Sequence, residues 1–137
     1  MAYPLDTAAQ IAGLKAWFGD GHAVSVPASW EVALFTGHPL LGGTELTTAG
    51  GYAPVVVANT SANFPDPVSG VITASGITFP APTGAYSDVA PYFVLREPSG
   101  GPTWYVGAFP DGQPVDIEAA QPAFIIKPAI RWNTEGA

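Results

Sequence analysis

The sequence is 137 residues long, which is the size of one domain, and only 11% of its residues are charged. Four basic residues stand against eleven acidic ones, so the formal net charge is −7. Binding to a nucleic-acid backbone requires a basic surface, and anionic membranes attract basic segments. The composition therefore excludes nucleic acids and membrane surfaces as partners.

Metal and cofactor chemistry has little support in the sequence. There is no cysteine, so neither a disulfide nor a thiolate metal site can form. The two histidines, His22 and His38, lack a metal-ligand spacing, and we expect both to be solvated surface residues. Residues 1–6 lack the basic region and apolar core of a signal peptide. We therefore expect no metal, no cofactor and synthesis in a cytoplasm.

Turn-forming and apolar residues dominate the composition. Glycine and proline contribute 16 and 15 residues, while 47% of the residues are hydrophobic. A disordered chain cannot bury enough apolar surface to fold, whereas this chain can. Short apolar runs separated by Gly/Pro turns are typical of an all-β domain.

The first predicted element is an N-terminal helix over residues 7–18, with Asp6 as its N-cap. Ile11, Leu14 and Phe18 lie at i, i+3 and i+7, which places them on one helix face. A helix this short is only marginally stable alone. We therefore expect it to pack against a sheet or against a partner chain.

From residue 29 onward the hydrophobic period changes from helical to that of a strand. Trp30, Val32 and Leu34 alternate with other residues and predict a first strand with one buried face. Further strands are predicted at 52–58, 71–74, 77–79, 92–96, 104–109, 115–118 and 123–127. The Pro/Gly-rich segment between 92–96 and 104–109 makes these two the clearest hairpin.

This number and spacing of strands predicts an antiparallel β-sandwich or jelly roll of about eight strands with one short N-terminal helix. We expect a single domain over residues 1–137. Its parts are an N-terminal arm and helix (1–21), the sandwich (28–127) and a C-terminal arm (128–137).

Aromatic residues carry the clearest functional signal. The chain has 4 Trp, 5 Tyr and 7 Phe but only four basic residues. Neighbours on a strand point to opposite faces, so either Trp104 or Tyr105 must leave the core. Exposed aromatic rings on a weakly charged surface are typical of a protein interface or a sugar-binding platform. The predicted interface residues are Trp17, Phe18, Tyr86, Trp104, Tyr105, Arg131 and Trp132.

Catalysis is not expected. Strand-borne carboxylates could act as an acid–base pair, and the candidates are Glu31, Glu45, Asp116 and Glu118. Alternation on a strand makes a solvent-exposed polar face the simpler reading of them. No Gly-x-Ser-x-Gly motif marks a serine nucleophile. We assign no catalytic residue and predict that the protein is not an enzyme.

The order of several short motifs resembles a family of small tailed-phage virion proteins of the tail-fibre or head-decoration type. The motifs lie at residues 30–39, 43–46, 50–53 and 77–80, followed by Gly100 and Gly101 before Trp104. The resemblance implies a non-enzymatic β-sandwich on the outside of the virion, made in the cytoplasm of a bacterial host. It also implies capsid or tail proteins as partners and a homo-oligomer, with a trimer as one candidate.

An alternative function remains open at this stage. The domain could be a carbohydrate-binding module for host-surface glycans. Trp104, Tyr105 or Tyr86 would then stack on sugar rings.

Overall fold

The computed structural model describes residues 11, 14, 25–110 and 112–131 of the chain. Within these residues it contains eight strands: β1 (Ser29–Phe35), β2 (Val55–Ala58), β3 (Val71–Thr73), β4 (Ile77–Phe79), β5 (Tyr92–Arg96), β6 (Thr103–Ala108), β7 (Phe124–Ile126) and β8 (Ala129–Arg131). Two single turns of 3₁₀ helix, Pro39–Leu41 and Ala49–Gly51, lie between β1 and β2.

The strands pair antiparallel and form three sheets. The largest has the order β2-β1-β5-β6, while β3 pairs with β8 and β4 pairs with β7. Pro54 directly precedes β2, which lies at an edge of the large sheet, where a residue without an N–H is tolerated. The predicted all-β antiparallel class is confirmed.

One face of the large sheet carries the main hydrophobic core. Val32 and Leu34 on β1 are fully buried, which confirms the predicted inner face of that strand. They belong to one cluster with Phe93 of β5 and with Ile77 and Phe79 of β4. The small sheets therefore pack on this face, and the result is a sandwich.

The opposite face of the large sheet carries a second, smaller cluster. Ala33, Val94 and Val106 are buried there, with Phe35 and Tyr92 partly buried against them. Residues on both faces of β1 and β5 are thus withdrawn from water. This explains why these two strands read as almost continuous apolar runs rather than as strict alternation.

Two predicted elements differ from the structure, while the predicted N-terminal helix falls mostly outside the described residues. Residues 115–118 form no strand, because Val115 makes only an isolated bridge to Ala90. Residue 129 begins β8 rather than a free arm, because residues 129–131 pair with the distant strand β3.

Candidate interaction surface

Arg96, the last residue of β5, joins two carboxylates that are distant in sequence. Its Nε donates to Glu31 Oε2 on the neighbouring strand β1. Its Nη1 and Nη2 donate to the Oε1 and Oε2 atoms of Glu45 at 2.8 and 3.2 Å. The backbone of Glu45 forms an isolated antiparallel β-bridge with Phe35, on the edge of β1 that faces away from β5. The guanidinium therefore crosses β1 and holds three segments together.

This ionic cluster is largely withdrawn from water. The side chains of Arg96 and Glu31 are 12% and 9% exposed, and that of Glu45 is 28% exposed. Burial by itself lowers the pKa of Arg96, but hydrogen bonds and negative charges from Glu45 and Glu31 outweigh it and raise the pKa. The expected solvent-exposed polar face is therefore corrected for Glu31, because its carboxylate is engaged by the guanidinium.

Tyr52 connects the ionic cluster to the core. Its hydroxyl accepts the backbone N–H of Leu34 at 3.0 Å and donates to Glu45 Oε2 at 2.9 Å. The pairing of β2 with β1 ends where Val55 faces Val32, and beyond it the Leu34 carbonyl accepts the N–H of Leu46 at 3.0 Å. The Tyr52 hydroxyl supplies the acceptor for the remaining Leu34 N–H. Burial raises the pKa of Tyr52; the Leu34 N–H acts in the opposite direction, and the charge of Glu45 adds to the rise.

The ionic cluster also fixes the loop between β5 and β6. Glu31 Oε2 accepts the backbone N–H of Gly100 at 3.1 Å. Ser99 and Gly100 have left-handed φ values of 67° and 69°. The N–H of Glu97 donates to the Pro102 carbonyl at 2.9 Å. The predicted hairpin is confirmed, and its loop is tied to β1 as well as to its own strands.

A β-bulge sets the position of Trp104 on β6. Tyr105 pairs with Leu95 and Thr103 pairs with Arg96, so Trp104 is the extra residue. Tyr105 lies in the core, while Trp104 stays half-buried at the surface. The expectation that one of these two rings leaves the core is confirmed.

Two contacts hold the Trp104 ring. Its indole N–H donates to Glu97 Oε2 at 3.0 Å. The ring meets that of Trp30 edge-on, with the centroids 5.7 Å apart, which is a favourable aromatic geometry. Trp30 and Trp104, here called the tryptophan pair, form a partly exposed apolar platform beside the hairpin loop.

Residues 37–43, here called the leucine loop, leave two large apolar side chains in water. Leu40 and Leu41 are each 74% exposed. Each forgoes about 1.5–3 kcal/mol of burial by staying in water. The pair is therefore a candidate protein contact. A signal for this contact is present in the sequence, where two adjacent leucines stand between a proline and two glycines.

Backbone bonds close the leucine loop. His38 Nδ1 accepts the N–H of Leu40 at 3.1 Å. The His38 carbonyl accepts the N–H of Leu41 at 2.8 Å and that of Gly43 at 3.0 Å. A Cβ added at Gly43 would lie 2.0 Å from the carbonyl oxygen of Gly37, so only glycine permits this closure. The two leucines are thus presented on a fixed loop.

Two of the predicted interface residues lie in the core, which corrects their assignment to the surface. Tyr86 and Tyr105 are 7% and 6% exposed. The Tyr86 ring meets that of Tyr52 edge-on at 5.5 Å. The Tyr105 hydroxyl accepts the backbone N–H of Arg131 at 3.2 Å. Both rings fill space between the sheets, where large side chains are needed.

The other predicted residues divide between the surface and the undescribed part of the chain. Arg131 is exposed on β8, and Trp104 is half-exposed. His38 is 8% exposed rather than solvated, because it caps the 3₁₀ turn of the leucine loop. The remaining predicted residues lie outside the described part: Trp17, Phe18, His22 and Trp132.

Within the part of the chain that the structure describes, no helix has the length and apolar character needed to cross a membrane. Across the same residues, no three His, Cys, Asp or Glu side chains are grouped to hold a metal ion. The described residues form a fixed β scaffold with apolar side chains at its surface. This arrangement is typical of proteins that bind other proteins.

Comparison with known protein families agrees with the class of proteins that bind other proteins. The family model described as Podophage GP4 fiber I protein gp80 matches residues 8–121. The chain belongs to this family of phage fibre proteins, which confirms the resemblance to tail-fibre-type virion proteins. Membership implies association with other proteins of the virion. A search of curated proteins finds no match.

Proposed function

We propose that the protein is a non-enzymatic structural subunit on the outside of a phage particle, made in the cytoplasm of the bacterial host. Its family supports a place in the tail fibre rather than in head decoration. The leucine loop is the observation that carries the proposal, because its two leucines are 74% exposed on a loop closed by backbone bonds. A partner surface would bury both.

The proposed partners are neighbouring copies of the chain and other virion proteins. Contacts that are weak one by one become strong when they are repeated in an assembly. The tryptophan pair is a second contact of the same kind, since half-buried tryptophans are enriched at interfaces. The predicted contacts of Trp17, Phe18, Arg131 and Trp132 remain part of this proposal, as does a homo-oligomeric state.

The double substitution Leu40→Ser with Leu41→Ser tests the leucine loop. Phage particles are grown with the variant chain, and the copies of the chain per particle are counted by quantitative mass spectrometry. Light scattering after size exclusion measures the oligomeric state of the purified chain. Val68→Ser is the matched control, because Val68 is 76% exposed but lies outside the leucine loop.

We expect the double variant to fold and to be strongly depleted from particles, while Val68→Ser is incorporated normally. Normal incorporation of the double variant would remove the leucine loop from the interface. A purified wild-type chain that stays monomeric and does not enter particles would contradict the structural role itself.

Glycan binding remains the second candidate function. Of the three predicted stacking residues, Tyr86 and Tyr105 are buried, and only Trp104 reaches the surface. Of the aromatic platform predicted from the sequence, only the tryptophan pair therefore remains at the surface. The exposed part of the Trp104 ring is the observation that favours this function.

A further inference from the structure

Ile11 and Leu14, here called the Ile11–Leu14 pair, are large apolar side chains that remain in water. Both residues have helical backbone and stand at positions i and i+3, so they lie on one side of a helical turn. Their exposed fractions are 47% and 60%. Packing of this side against a sheet or against a partner chain is expected from the sequence. The exposure of both side chains favours the partner chain.

The leucine loop is also apolar and exposed, and negative charge borders it. Residues 37–43 contain no Lys, Arg, Asp or Glu. Two residues further along the chain is Glu45, whose side chain is 28% exposed. In the ionic cluster the two carboxylates of Glu31 and Glu45 face the single guanidinium of Arg96, so one negative charge is in excess. A partner of the leucine loop should therefore be apolar with a positive charge beside it.

The Ile11–Leu14 pair has this character. Lys15 follows Leu14 directly and is the only charged residue of segment 7–18. The whole chain has a net charge of −7, so two copies repel each other over most of their surfaces. A basic residue next to exposed aliphatic side chains is therefore a feature through which an acidic chain can meet a second copy of itself.

Two copies could pair these two patches in three ways, and charge favours one of them. Contact between two Ile11–Leu14 pairs would bring two Lys15 residues together. Contact between two leucine loops would bring two negatively charged clusters together. Only the Ile11–Leu14 pair on the leucine loop places opposite charges side by side, and like charges at an interface are costly.

We propose that the Ile11–Leu14 pair of one copy docks on the leucine loop of the next copy. This inference rests on the proposed structural role and names the partner of the leucine loop. The contact removes four aliphatic side chains from water, which favours association. It joins two different patches, so it is a head-to-tail contact. Repetition of such a contact produces a closed ring or an open filament.

Two complementary variants of the full chain test this contact. Ile11→Ser with Leu14→Ser removes one patch, and Leu40→Ser with Leu41→Ser removes the other. Light scattering after size exclusion measures the wild type, each variant and an equimolar mixture of the two variants. Circular dichroism checks that each variant is folded. Val68→Ser is the matched control, because Val68 is 76% exposed and belongs to neither patch.

We expect the wild type and Val68→Ser to associate. Each double variant alone should associate at least about tenfold more weakly, because the burial of one leucine already supplies that factor. The mixture should form dimers with one chain of each variant, since each supplies the patch that the other lacks. A mixture that stays monomeric, or a double variant that associates as strongly as the wild type, would overturn the proposal.

Disulfide trapping is a second measurement and needs only single substitutions. The chain has no cysteine, so introduced thiols have no competing partner in their own chain. Under mild oxidation, a mixture of Leu14→Cys and Leu41→Cys chains should form a cross-linked dimer, whereas Leu14→Cys with Val68→Cys should not. Equal cross-linking in the two mixtures would contradict docking on the leucine loop.

The entry of chains into phage particles is counted separately from their association in solution. A wild-type chain that enters particles but stays monomeric in solution would overturn the contact between copies and leave the structural role standing.

Discussion

The β5–β6 hairpin and the leucine loop both hold apolar side chains at the surface, but different forces fix them. Behind the hairpin, the Arg96 guanidinium engages two carboxylates, and one of these also accepts the Gly100 N–H. The leucine loop is closed instead by three hydrogen bonds to His38, one to its imidazole and two to its carbonyl.

This difference separates two ways of presenting a contact. Charges removed from water stabilise only while every partner is present, so the hairpin is sensitive to the loss of one group. A loop closed by its own main chain depends on backbone geometry instead, and its outward side chains contribute little to stability. Substitutions should therefore harm the two regions through different atoms.

The largest effect is expected from Arg96→Met. It leaves the carboxylates of Glu31 and Glu45 without their cation, and we expect the free energy of unfolding to fall by about 3 kcal/mol. Chemical denaturation measures the change. Lys127→Met is the control: Lys127 is exposed and unpaired among the described residues, so its loss should stay within about 0.5 kcal/mol. Equal losses in both variants would show that the ionic cluster does not hold the hairpin.

The next effect is expected in the leucine loop from Gly43→Ala. The new Cβ would meet the Gly37 carbonyl oxygen at 2.0 Å, and overpacking of this kind costs about 2–3 kcal/mol. At Gly42 nothing lies within 4 Å, but its φ of 89° favours glycine, so Gly42→Ala should cost only about 1 kcal/mol. Thermal unfolding of both variants compares them, and the reverse order would mean that the loop is not closed as described.

A smaller effect is expected where the ionic cluster meets the core. Tyr52→Phe leaves the buried Leu34 N–H without its acceptor and should cost about 1–2 kcal/mol. Tyr86→Phe is the matched change, because the Tyr86 hydroxyl has no hydrogen-bond partner among the described residues. If the denaturant midpoints of Tyr52→Phe and Tyr86→Phe shift equally, the Tyr52 hydroxyl has no bridging role.

The smallest effect on stability is expected from Leu40→Ser with Leu41→Ser. Both side chains are 74% exposed, so the free energy of unfolding should change by less than about 0.5 kcal/mol. Calorimetry of the purified chain measures it. A clear loss of stability would mean that the leucines pack within their own chain, and the particle-incorporation result would then need a different cause.

Local signals explain what could be predicted from the sequence. The β5–β6 hairpin joins strands that are close in the chain and flank a Pro/Gly segment. The hydrophobic pattern of the strands and the turn-forming residues between them therefore indicated the same hairpin. The inner face of β1 followed from the alternation that places Val32 and Leu34 together.

Contacts between residues that are distant in the sequence explain what could not be predicted from it. β8 exists because residues 129–131 meet β3, and three residues carry too little pattern to reveal such a pairing. Tyr86 is buried by Tyr52 and Phe124, which are remote in sequence. The polarity of Glu31 indicated a solvated strand face, because nothing local shows that Arg96 will lie opposite it.

The way in which the leucine loop is closed has a consequence for evolution. Its shape depends on the main chain, on His38 and on the close approach of Gly37 to Gly43, and not on which side chains occupy positions 40 and 41. Those two positions can therefore diverge at little thermodynamic penalty. Under the proposed role of the leucine loop, the exchange of two amino acids would change the protein that the loop binds while the scaffold is inherited unchanged.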